Sequence, residues 1–302
     1  MQSKFAIQEE IFSEPFKKIN ADLLALQKQH HLQDHTELNR ERFSWADQVA
    51  EKPVFYAARL WEFPFAILAG ELKHGMKVAD VGCGNTPFTA YLAKAVGSEN
   101  VTGFDPDYIV DDATIGHSHF GARKSYVNAL GINFHNDGMT KLTAADESFD
   151  VVYCISVLEH VDDIAVKQQG IAEMARIIKP GGKLILTFDV GIKMPLNNIL
   201  DIIQYSGLIP LNLDLKWPRR RFVNYGDGMT VDVFGLILEK TAEPVYLDNT
   251  EKETIPMYKA NEKAQRKAAF YAIGYNQVLA ARDLKEKWGA VKVFLKEMLG
   301  KY

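Results

Sequence analysis

The chain has little of several things that would decide its class at once. Two cysteines, Cys83 and Cys154, occur among 302 residues. That is too few for a disulfide scaffold, and with no signal-peptide pattern at the start the expectation is a reducing, cytoplasmic setting. No apolar run approaches the roughly eighteen uninterrupted residues of a membrane span, so no membrane partner is expected. Neither sign of charge dominates: 35 Lys and Arg stand against 39 Asp and Glu, a net charge of -4. The basic excess that draws a protein to nucleic acid or an anionic surface is missing, and nucleic acid is not expected as a partner on that ground. Low-complexity tracts and internal repeats are absent too. What remains is 47% hydrophobic residues, enough for a sizeable core in one domain of usual size with additions.

The stretch Val78-Ala79-Asp80-Val81-Gly82-Cys83-Gly84-Asn85-Thr86-Pro87 carries most of the functional information. Residues 77–81 have strand character and residues 88–96 have apolar side chains at helical spacing, so the glycines lie between a strand and a helix. Glycine there lets main-chain amides approach a ligand with no Cβ in the way. A tight turn alone would also need such residues. About 20 residues on, however, Val101-Thr102-Gly103-Phe104-Asp105 reads as a second strand ending in an acid, the spacing of a carboxylate that accepts both hydroxyls of a ribose in a nucleoside-binding βαβ unit. A dinucleotide fold would want a third glycine, and Asn85-Thr86-Pro87-Phe88 supplies none. Pyrophosphate binding is disfavoured, and the nucleoside stays unnamed.

Three regions separate along the chain, taken as domains at 1–75, 76–240 and 241–302. The first is helical by spacing and closes on an aromatic stretch, residues 55–65, whose rings at helical spacing read mainly as core. The second alternates strand and helix, with strands near 77–81, 101–104, 133–135, 150–155 and 183–188, a helix at 163–178, a further helix at 196–205 and a strand at 230–239. Such alternation means a mostly parallel sheet covered on both faces, with ligands beyond the carboxyl ends of the strands, where Gly82, Asp105 and Ser156 meet. The third is mostly helical, at 260–279 and 281–299. These helices could cover the site, join the amino-terminal helices or build a homo-oligomer.

Residues 76–240 resemble the class I S-adenosylmethionine-dependent methyltransferases, in the small-molecule "type 11" group. The first motif resembles Asp80-Val81-Gly82-Cys83-Gly84 with Asn85 in the same turn, and the acid after the second strand resembles Asp105. Asn136-Asp137-Gly138-Met139 resembles the element that the family sets against the adenine edge. Ser148-Phe149-Asp150-Val151-Val152, running on to Val157-Leu158-Glu159-His160-Val161, is similar to the fourth-strand pattern, and Lys179-Pro180-Gly181-Gly182 to the turn before the fifth strand. The resemblance implies a Rossmann-like doubly wound α/β fold with a mostly parallel seven-stranded sheet, helical additions at both ends, and S-adenosylmethionine as cofactor. It further implies that Arg59 and Tyr56, on the helix before the first strand, are candidates to meet the cofactor's methionine carboxylate.

On that resemblance the chemistry belongs mainly to the cofactor, whose sulfonium carbon is already electrophilic. The protein holds a nucleophile in line and keeps water out. If the nucleophile is a hydroxyl, His160 is the best-placed base. His117 and His119, in an inserted segment, are candidates to touch the acceptor, and no metal is expected there. Arg219 and Arg220, within Lys216-Trp217-Pro218-Arg219-Arg220-Arg221, suit an anionic group on the acceptor. The fourth strand ends Cys154-Ile155-Ser156-Val157, without the Asn/Asp-Pro-Pro-aromatic grip of enzymes that methylate amino groups of nucleic acid and glutamine, and no proline precedes Cys154. The expected activity is O- or N-methylation of a small molecule, probed against the alternative of a cofactor-binding scaffold without turnover.

Overall fold

Five apolar segments lie side by side as parallel strands because a helix or long connection returns the chain across the sheet after each. In the computed structural model, which describes residues 1–30, 32, 58–109, 121–190, 194, 198–203, 206–214, 222–223 and 230–242, they are β2 (Val78–Val81), β3 (Val101–Phe104), β6 (Asn133–His135), β7 (Phe149–Ile155) and β8 (Ile178–Val190). Short pieces complete the strand set: β1 (Lys4–Phe5), β4 (Tyr108–Ile109), β5 (Ala122–Arg123), β9 (Leu208–Pro210) and β10 (Phe222–Val223), followed by the long β11 (Thr230–Lys240). The main sheet runs β1-β11-β8-β7-β2-β3-β6, with β9 and β10 also paired to β11. β11 is antiparallel to β8, with Phe234 opposite Phe188.

Side chains alternate between the two faces along each strand, as period-two geometry requires. Ala79, Val81, Val152, Cys154, Leu184, Leu186 and Phe188 enter one core cluster. Val78, Val151, Tyr153, Ile155 and Ile185 enter the other. The first cluster is closed by α5 (Ile164–Ile177), whose Ile171, Met174 and Ala175 are buried. Asp163 caps that helix by accepting from the Ala165 amide at 2.8 Å. The second is closed by α1 (Glu14–Gln29), α2 (Arg59–Gly70) and α3 (Pro87–Val96). Two short helices, α4 (Lys124–Leu130) and α6 (Asn198–Ile203), complete the described set. On α2, Trp61, Phe63 and Phe65 are buried, and Trp61 stacks on Phe65 at 4.6 Å. The described rings of the aromatic stretch, Trp61, Phe63 and Phe65, are core, as their spacing predicts.

Three features of the sheet differ from the sequence reading. First, Lys179-Pro180-Gly181-Gly182 is not a turn ahead of a strand. Ile178 already pairs with Phe149 and Lys183 with Val151, so residues 179–182 bulge out opposite Asp150 within one long strand. Second, the described sheet has nine strands rather than seven, because the outer edge of β11 is shared among three short ones. Third, one of those three is the amino-terminal pair Lys4–Phe5, which joins Phe234 and Gly235 of β11. Phe5 packs edge-on against Phe234 at 5.0 Å, so the first residues of the chain share the core of the central sheet. Among the described residues no helix is long and apolar enough to cross a membrane.

Candidate active site at the carboxyl edge of the sheet

The register that aligns Val81, Phe104 and His135 brings the ends of β2, β3 and β6 to one edge. Just past Val81 the chain turns through Gly82 (φ 73°) and Gly84 (φ 53°), left-handed values that glycine reaches without penalty. The amides of Gly82 and Cys83 both donate to the Phe104 carbonyl, at 2.7 and 3.2 Å. A Cβ on Gly82 would lie 2.4 Å from Val157 Cγ2, so this turn sits hard against the end of β7. Thr86 is the N-cap position of α3 and Pro87 its first residue, where proline's missing N–H costs nothing. Thr86-Pro87 is thus a helix start. Two side chains pin the turn: the Tyr126 hydroxyl donates to the Thr86 carbonyl at 2.6 Å and the Thr89 hydroxyl to Asp80 Oδ2 at 2.7 Å.

Asp105 follows β3 and is 7% exposed. Its Oδ2 accepts from the Gly84 amide at 2.8 Å and its Oδ1 from the Asp107 amide at 2.9 Å. The acid therefore ties the two nucleoside-motif strands together, and burial raises its pKa. Asn136 donates to the carbonyls of Asp105 and Pro106 at 2.9 and 2.8 Å, which carries the edge on to Asp137. The Asp137 carboxylate accepts from the Thr143 amide at 2.5 Å. Gly138 faces open space where a Cβ would stand. Met139 does not turn its side chain to that space; it is 8% exposed and belongs to the core beside Gly170, leaving only its backbone for a ligand. In the glycine turn, Asn85 Oδ1 is buried without a hydrogen-bond partner, a polar atom at the place where a ligand would supply a donor.

Beyond the end of β7 lies a polar cluster only partly foreseen from sequence. Arg59, at the start of α2, ion-pairs with Glu62 and donates to the Ser156 hydroxyl. Glu62 is completely buried. Its Oε1 accepts from Ser156 at 2.8 Å and from Thr187 at 2.7 Å, and its Oε2 from Arg59. Burial opposes the charge on Arg59, but Glu62, Glu159 and Asp189 together more than offset it and raise its pKa. Arg59 and Ser156, two of the candidate site residues, are thus brought together, through an acid and a threonine that the sequence reading did not find. One signal was available: Glu62 is the single acid in the apolar run Arg59–Gly70. His160 is exposed at the end of a single 3-10 turn, Leu158–His160, next to the buried Glu159. Tyr56, His117, His119, Arg219 and Arg220 lie outside the described residues, as do the carboxyl-terminal helices expected at 260–279 and 281–299.

The same edge concentrates acids that resist ionising. Burial pushes Asp80 up to about 7, with Asp105 adding to it. Burial and the neighbouring Glu62 carboxylate push Glu159 up to about 7 and Asp189 up to about 8. An unfolded carboxyl titrates near 4, so between about pH 4 and pH 8 these three groups hold more protons in the folded chain than in the unfolded one. These groups stabilise fully below about pH 4, and that stability is lost as pH rises through 7–8. The carboxyls of Glu71 and Glu173, lowered by Lys183 and Arg176, act only below their ordinary range, outside this window. Melting of the ligand-free protein from pH 5 to 8.5 is expected to give a falling midpoint, and Glu159→Gln a shallower fall. A midpoint rising across that range would contradict the assigned burial.

Residues 79–186 match the family model described as "Methyltransferase domain", and the match begins and ends on the strands that carry the edge just described. That segment is similar to methyltransferase domains. A ubiquinone biosynthesis O-methyltransferase of Coxiella burnetii is 33% identical over 137 residues, covering 45% of this chain and 53% of that protein. A demethylmenaquinone methyltransferase of Chlorobaculum parvum is 31% identical over 136 residues, 44% and 49% of the two chains. The chain thus spans about half the length of the curated relatives it matches. Among solved structures, a putative sarcosine dimethylglycine methyltransferase from Galdieria sulphuraria is similar at 15% identity, with a TM-score of 0.48 over 76% of this chain and 99% of that one.

Proposed function

We propose that the chain is an S-adenosylmethionine-dependent methyltransferase that methylates an oxygen or nitrogen of a small biosynthetic acceptor. The observation that carries the reading is the single edge on which the Gly82–Gly84 turn, the buried Asp105 carboxylate, the orphaned Asn85 Oδ1 and the open space at Gly138 follow one another. Those residues fit the cofactor part by part. Asp105 suits the ribose, Asp137 and the backbone of Gly138 and Met139 suit the base, and Arg59 with Ser156 suits the methionine end. When bound, the cofactor supplies an electrophilic methyl group on a sulfonium.

The chain's own part is positioning and desolvation. Glu62 fixes the Arg59 guanidinium, the packed turn against Val157 fixes the amides, and the buried floor excludes water from the reacting carbon. For a hydroxyl acceptor His160, at the rim, is the proposed base. Arg219 and Arg220 belong to this reading as partners for an anionic group on the acceptor, His117 and His119 as further acceptor contacts, and the terminal helices as a means of homo-oligomer formation. The reading is tested by incubating the purified chain with S-adenosylmethionine and a panel of hydroxyl and amine compounds while following S-adenosylhomocysteine by mass spectrometry. Acceptor-dependent product supports it. Tight cofactor binding with no turnover on any acceptor would instead favour a cofactor-binding scaffold.

A further inference from the structure

The polar cluster beside Arg59 is out of balance. Glu62, Glu159 and Asp189 converge from α2, the turn after β7 and the last residues of β8, with Asp232 of β11 close enough to act on Asp189. Arg59 is the described cation that acts on them, and its Nη1 is already committed to Glu62 and Ser156. Ser156 lies near enough to Glu159 to favour its ionised form, but its one proton is donated to Glu62. The Asp189 amide reaches Glu159 Oε1 at 3.4 Å, and Glu159 is close enough to act on the Asp189 carboxyl. Two oxygens then have no hydrogen-bond partner in the described structure: Glu159 Oε2 and Asp189 Oδ1. Glu159 is 7% exposed, so water does not simply make up the deficit. Orphaned acceptors of this kind call for a ligand that brings N–H donors and positive charge.

We propose that the acceptor carries a protonated amine, and that Glu159 Oε2 and Asp189 Oδ1 receive its N–H groups beside the methionine end of the cofactor. The inference rests on the methyltransferase reading and narrows its substrate class. An ammonium between the two carboxyls supplies the charge that both lack, and it explains why a buried wall should hold acids whose ionisation burial and mutual repulsion oppose. An anionic group elsewhere on the same acceptor is compatible with it.

The test uses the full chain in two steps. Calorimetric titration with S-adenosylhomocysteine and with its analogue lacking the α-amino group comes first, on the wild type, Glu159→Gln and Asp189→Asn. Benzylamine, benzyl alcohol and benzoate are then titrated into each protein saturated with S-adenosylhomocysteine. Benzylamine binding at least tenfold tighter than the alcohol and the acid in the wild type, with that preference lost in both variants and S-adenosylhomocysteine affinity kept within about twofold, is the expected result. Equal binding of the three probes by a protein that does bind S-adenosylhomocysteine overturns the amine proposal alone. A loss of affinity for S-adenosylhomocysteine, but not for its deaminated analogue, in the variants would assign the two carboxyls to the cofactor's own ammonium and also overturn it. Failure of the wild type to bind S-adenosylhomocysteine at all would instead sink the methyltransferase reading, and the amine proposal with it. Thermal melts separate these outcomes from misfolding, since removing a disfavoured charge is expected to leave both variants as stable as the wild type.

Discussion

Glu62→Ala is expected to destabilise the folded chain by about 3–5 kcal/mol, the range for breaking a buried ion pair from one side. Three donors lose their acceptor at once: the hydroxyls of Ser156 and Thr187 and the Arg59 guanidinium. Arg59 would be left as a partly buried cation beside the face of Phe63, 5.8 Å from the ring centre, with no carboxylate bonded to it. Glu62→Gln separates the causes. Its side-chain carbonyl still accepts from both hydroxyls, whereas its amide opposes the guanidinium with donors of its own, so a loss of about 1–3 kcal/mol is expected. Chemical denaturation of the three proteins checks the ranking. Equal stability of Glu62→Ala and the wild type would mean that the cluster does not hold α2 to the sheet.

Gly82→Ala is the second large effect, and it has two additive parts. The left-handed backbone at φ 73° costs an alanine about 1–2 kcal/mol, and a methyl 2.4 Å from Val157 Cγ2 adds the roughly 1–3 kcal/mol of overpacking. Moving the turn to relieve the clash also displaces Gly84 and the Asp105 carboxylate tied to its amide, so S-adenosylhomocysteine affinity is expected to fall by about two orders of magnitude, equivalent to ~3 kcal/mol. Val157→Ala in the same chain removes the steric part and not the backbone part. The double variant should therefore recover some, but not all, of the lost stability. Full recovery would show that the φ value is not required.

The legible part of this molecule is the part written in local pattern. Asp80 through Gly84 announce a strand, a turn and a helix within one window, and the strand at Asn133–His135 falls where the sequence places it. Asp163 sits one residue before its helix because capping is a local event. What could not be read depends on partners far apart in the chain. Glu62 is an acid in an apolar helix until Thr187, 125 residues away, is brought against it. Lys4–Phe5 is too short to register as a strand until β11 offers it an edge. The bulge at residues 179–182 looks like a turn because Pro-Gly-Gly is turn chemistry, and only pairing with β7 on both sides of it makes one continuous strand. Met139 likewise carries the sequence of a ligand-facing position while its side chain is drawn into the core by the space beside Gly170.

The central claim is that the edge defined by Asp80, the glycine turn and Asp105 holds S-adenosylmethionine. Calorimetric titration with S-adenosylhomocysteine, with NAD as control and Asp105→Ala alongside the wild type, tests it most directly. The account predicts selective binding by the wild type and its loss in Asp105→Ala, where the ribose acceptor and the tie to the Gly84 amide go together. Preference for NAD, or S-adenosylhomocysteine affinity undiminished in Asp105→Ala, would contradict it.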